Sequence, residues 1–89
     1  MNPAKRKLII NLAVLSVLDQ CAGYLVPHHT LFQQTSVEVR PTPLLSEFED
    51  CLKGLQQLHF ITAVADELGG PAKYKLTDLG KAKLAEAHF

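Results

Sequence analysis

The side chains best equipped for chemistry are Glu47, Glu49 and Asp50, crowded into one helical turn, together with Cys21, Cys51 and the histidines 28, 29, 59 and 88. Neighbouring carboxylates can act as general acid and base when their surroundings drive their pKa values apart. On the polar side of a helix, however, they share the same water and serve as solvated charge. The two cysteines lack C-x-x-C spacing, and cysteines and histidines together lack metal-ligand spacing. Each cysteine falls on the apolar side of an expected helix, which reads as a pair of buried thiols in a reducing compartment. No G-x-S-x-G elbow and no phosphate-cradling glycine loop occurs. The expectation is a protein that is not an enzyme and uses neither metal nor cofactor.

What remains is the display of charge. The chain has 89 residues, enough for one small domain, with 47% hydrophobic and 20% charged residues, an ordinary globular balance. Nine Lys+Arg stand against nine Asp+Glu, a formal net charge of zero. That balance weighs against nucleic acid, because phosphate neutralisation supplies most of the affinity of such binders. Placement therefore matters more than the sum. Bases gather at Lys5-Arg6-Lys7 and at Lys73, Lys75, Lys81 and Lys83; acids gather at 47–50 and at Asp66-Glu67. The stretch KRKLIINLAVLSVLDQCAG imitates a secretory signal, but Asn11 and Ser16 interrupt it and Asp19-Gln20 close it. It is also too short to span a bilayer. It is read as the first helix of a cytoplasmic protein without a membrane partner.

The elements that must position these charges follow from pattern. Asn2 caps and Pro3 begins a first helix that runs to about residue 22, with Gly23 as its stop (1–22 in all). Its apolar residues surround it: Leu8, Leu12 and Leu15 on one side, Ile9, Ile10, Ala13 and Val17 on others. Such a helix is buried by more than one neighbour. In a domain this small the second neighbour is expected to be another copy of the chain, with Ile9, Leu12 and Ala13 at the contact of a homodimer. Pro27 favours extended backbone before it. A short second helix, 28–36, buries Leu31 and Phe32, and Val37-Glu38-Val39-Arg40 alternates like a very short strand.

Arg40-Pro41-Thr42-Pro43 is a rigid connector, with Thr42 as cap and Pro43 opening the third helix, 43–59. Leu45, Phe48, Leu52 and Leu55 form its apolar stripe, flanked by Leu44, Cys51 and Leu58. Its opposite face shows Ser46, Asp50, Lys53 and Gln57, with Glu47 and Glu49 at the margins. A hairpin follows over 60–77: FITAVADE, a turn at Gly69-Gly70, then AKYKLT with Tyr74 and Leu76 inward and Lys73 and Lys75 outward. Thr77 caps a last helix, 78–87.

LKGLQQLHFIT and KYKLTDLGKAKL resemble the third helix, wing and last helix of winged helix-turn-helix proteins, in the manner of PadR-like and MarR-like regulators. The resemblance covers residues 42–86, and the first half only in the order of its elements. It implies a mainly α fold with a small β-hairpin: three helices, a two-stranded wing and a C-terminal helix. It also implies a DNA-binding transcription regulator. The contacts would be Arg40 before the third helix, Ser46, Lys53 and Gln57 on it, and Lys73 and Lys75 on the wing. The chain departs from DNA-binding members in its acidic third helix, since base edges and phosphates call for donors. Binding is therefore expected to be weak and to run mainly through the wing. A second reading stays open: a protein–protein interaction module that uses the acidic third-helix face or the apolar first helix.

Overall fold

Helix α1, Pro3–Gln20, lies at the centre of the core. The computed structural model describes residues 3–21, 24–65 and 68–87; the expected Asn2 cap and Gly23 stop lie outside them. Ile10, Ala13, Val14, Leu15, Val17 and Leu18 of α1 are buried. Their neighbours are α2 (His28–Glu38), α3 (Leu45–Gln57), α4 (Asp78–Ala87) and strand β3 (Lys73–Leu76). Most of the apolar surface of the helix is thus covered within one chain, with Leu8 left 55% exposed, which weakens the reason for expecting a second copy there. Ala13 is in the core, and Ile9 and Leu12 are half-buried.

The architecture is mainly helical with a small antiparallel sheet, and the sheet has three strands rather than the expected two. Strand β1, Val26–Pro27, pairs with β3 (Val26 opposite Tyr74), and β2, Ile61–Val64, pairs with the other side of β3 (Thr62 opposite Lys75). The strand order is β1-β3-β2. Pro27 fixes extended backbone at Val26, and a proline is tolerated in an edge strand. The very short strand expected at Val37–Arg40 does not form. Helix α2 continues through Glu38, and the Val39 N–H still bonds to the Thr35 carbonyl at 3.2 Å. Val39 is the C-cap, buried and already extended (φ -109, ψ 129), so its β-branched preference is met at a helix end rather than in a strand.

Helix α3 starts later than Pro43. Its N-cap is Leu44, and the Glu47 carboxylate accepts the Leu44 N–H at 3.0 Å, the reach-back half of a capping box. Thr42 is not the cap. Phe48, Cys51, Leu52 and Leu55 are buried as expected, whereas Leu44, Leu45 and Leu58 are exposed. They sit at the two ends of the helix, past the elements that cover its middle. The C-terminus closes with Phe60 N–H on Leu55 O and His59 N–H on Gln56 O, both 3.0 Å. This is the Schellman pattern, carried by His59 at φ 64 where glycine is usual.

A polar knot joins this corner to the start of α4. The Thr77 hydroxyl donates to His59 O at 2.6 Å and accepts the Gly80 N–H at 3.0 Å, while Thr77 N–H bonds to Phe60 O at 3.1 Å. Gly80 is required here. A Cβ on it would run into the Phe60 carbonyl and would lie 2.7 Å from Leu76 Cδ1.

Candidate functional site

The charged surface is built from the β2–β3 hairpin and the outer side of α3. Alternation along β3 buries Tyr74 and exposes Lys73 and Lys75. Cross-strand pairing sets Val64 and Thr62 beside these lysines, with Pro27 next to Lys73 on the far side. All five are exposed. Neither lysine has an ion pair among the described residues, and the same holds for Arg40 and Lys53.

Beneath the sheet, Tyr74 meets His28, whose ring also stands edge-on to Phe48 at 5.5 Å. Burial raises the Tyr74 phenol above its ordinary pKa, with a smaller push from Glu49. The His28 Nε2 lies 3.7 Å from Glu49 Oε1. Glu49 therefore sits where α3 meets the sheet, beside the His28 imidazole.

Glu47 plays a different part from the one its position on the helix suggested. One carboxylate oxygen holds the Leu44 N–H, and the other lies 3.4 Å from Arg6 Nε on α1. The Leu44 hydrogen bond first, and Arg6 second, hold its pKa below the usual value. It is a helix cap and an interhelical tie, not a free charge on the outer face. Arg6, which the sequence showed only as part of a basic run, is its partner. The signal that was available is an acid at the third position of the helix, where capping boxes place one.

Asp50 is exposed. With Arg6, Lys7, Ile10, Glu47 and Cys51 it lines a cleft of about 190 Å³ between α1 and α3. The Cys51 thiol lies 4.0 Å from Lys7 O, and burial pushes its pKa up, which disfavours the thiolate. Ser46, Lys53 and Gln57 are exposed along α3, and Arg40 is exposed in the connector that begins with a cis Arg40–Pro41 peptide.

Among the described residues no three His, Cys, Asp or Glu side chains are grouped so as to hold a metal ion. No described helix is long and apolar enough to cross a membrane. The arrangement displays charge on the strands of the hairpin and on the outer side of α3. No protein-family model matches the chain, and no curated protein matches it.

Proposed function

We propose that this chain is a small cytoplasmic winged-helix protein of the transcription-regulator type, which holds duplex DNA weakly and mainly through its β2–β3 hairpin. The observation that carries the reading is the exposure of Lys73 and Lys75, side by side on one sheet face and without an acidic partner among the described residues. Glu47 is meanwhile drawn back to Leu44 and Arg6. The acidic third helix thus presents less repulsion than its composition implies. Ser46, Lys53 and Gln57 would reach the groove, and Arg40 the backbone.

A second reading draws on a specific feature of the first turn of α3. Leu44 and Leu45 are 67% and 48% exposed next to Glu49 and Asp50. An apolar surface edged with acid suits a protein with a basic, apolar face better than it suits phosphate.

Fluorescence anisotropy of a labelled duplex at two salt concentrations separates the two. With about two to four phosphate contacts per chain, the log–log salt slope is expected near −2 to −4. Lys73→Ala with Lys75→Ala should remove most of the binding. Absence of binding at low salt would remove the DNA reading, and binding that survives loss of both lysines would relocate the contact surface.

A further inference from the structure

Strand β2 is an edge of the sheet, with no described strand on its outer side. The Thr77 N–H bond to Phe60 O makes Phe60 and Thr77 a hydrogen-bonded pair of the β2–β3 ladder. Hydrogen-bonded and non-bonded pairs alternate in an antiparallel ladder. Thr62 and Val64 therefore bond inward to Lys75 and Lys73, while Ile61 and Ala63 turn their N–H and C=O groups away from β3. On the other side of β3 the same alternation holds, since His28 N–H bonds to Ala72 O at 3.1 Å and Val26 pairs with Tyr74. The outer edge of β2 thus carries unpaired main-chain donors and acceptors. Thr62, Ala63 and Val64 are exposed, so no other described element lies over it.

Natural edge strands are guarded by charges, proline or a bulge. Ile61-Thr62-Ala63-Val64 has no charge and no proline. Within residues 61–65 the guard present is short length. We infer that this edge pairs with the same edge of a second copy of the chain, antiparallel about a two-fold axis at Ala63. The occupant is a second copy because identical antiparallel edges complement one another without further design. Placing the axis at Ala63 sets the smallest side chain where the two backbones meet. Ile61 then bonds Ala65 of the other copy, and Val64, 42% exposed in one chain, packs against Thr62 of the other.

The axis stands normal to the sheet, so both copies show the same face on the same side. The strand order becomes β1-β3-β2-β2-β3-β1, with the two β3 strands three spacings, about 14 Å, apart. Lys73 and Lys75 of both copies come to one side of a continuous sheet. That lysine stripe has a role only under the DNA reading; the pairing stands or falls without it.

Sedimentation equilibrium of the full chain, without DNA and at tens of micromolar, is the test. The expected mass is twice the 9.8 kDa of one chain. Ala63→Pro removes an outward N–H and leaves the β2–β3 ladder whole, so it should give a folded monomer with unchanged circular dichroism. A monomeric parent protein, or a dimer that persists in folded Ala63→Pro, overturns the pairing. A peptide strand from another protein would likewise leave the isolated chain monomeric. Should Ala63→Pro fail to fold, amide exchange of the parent decides. Ile61 and Ala63 should gain protection as concentration rises, and exchange there that ignores concentration overturns the proposal.

Discussion

Arg6 on α1 and Glu47 on α3 meet at 3.4 Å, Nε to Oε2, while the other Glu47 oxygen holds the amide that opens α3. One carboxylate therefore sets both where the helix begins and how it lies against the core. Its pKa is lowered in the folded state, so linkage has a definite sign. The stabilisation it provides is present above the carboxylate's unfolded pKa and is lost as pH falls through the folded value. Glu47→Gln should flatten the acid side of the stability–pH profile and leave the neutral plateau lower. Urea unfolding followed from neutral pH into the acid range would show it; a Gln variant with an unchanged acid limb would deny Glu47 this role.

The same geometry sorts the acidic residues of α3 by their effect on DNA. Relief of repulsion is expected chiefly from Glu49→Gln, because Glu47 is turned inward to the protein. In anisotropy titrations Glu49→Gln should tighten binding, while Glu47→Gln should act mainly through lost stability.

Gly80→Leu and Leu55→Ala should both destabilise the fold, for opposite reasons. A side chain at Gly80 meets the Phe60 carbonyl and the end of Leu76, and overpacking of this kind costs about 1–3 kcal/mol or more. Leu55 is buried, and its truncation leaves a cavity worth roughly 2–5 kcal/mol. Thermal melts of the two variants, each with an unchanged midpoint, would contradict the packing described at these positions.

Thr35 is fully buried on α2, and its hydroxyl has no hydrogen-bond partner among the described residues. A stranded buried hydroxyl costs free energy, and valine keeps the shape without the polar atom. Thr35→Val is expected to raise stability by about 1 kcal/mol, read as a higher urea midpoint at constant m-value.

Two backbone positions should respond in opposite chemical directions and both gain stability. Gly54 lies inside α3 with open space where a Cβ would stand, so Gly54→Ala should add about 0.5–1 kcal/mol. His59 holds φ 64, a left-handed conformation that costs a side-chain residue about 1–2 kcal/mol, so His59→Gly should recover part of that. Loss of stability in either variant would mean that the side chain, not the backbone, governs the site.

The second half of the fold was the more legible. Phe48, Leu52 and Leu55 recur at helical spacing, Lys73-Tyr74-Lys75-Leu76 alternates like a strand, and Thr77 marks a helix start; each pattern is local and each element formed. What stayed hidden depends on distant partners. Val26 and Pro27 become a strand only because Tyr74 and Lys73 lie beside them. Val37 and Glu38 stay in the helical ladder of α2, which closes only at the Val39 N–H bond to Thr35 O, and Val39 alone turns extended. Glu47 looked like surface charge until Arg6, far away in sequence, was seen to reach it. The apolar surround of α1 was plain in the sequence, but composition alone could not say that α2, α3, α4 and β3 all lie within one chain's reach of it.

The Thr77 knot binds residues 18 positions apart through the shortest of its contacts, Oγ1 to His59 O, and Thr77 O also receives the Lys81 N–H at 2.9 Å. The hairpin therefore cannot fray from its base without releasing the first turn of α4 and the closing turn of α3. Local opening in this half of the molecule should be cooperative, a single unit that includes Phe60, Thr77, Gly80 and Lys81. Their amides should share one opening free energy in native-state hydrogen exchange, and Thr77→Val should lower all of them together while leaving the amides of α2 unchanged.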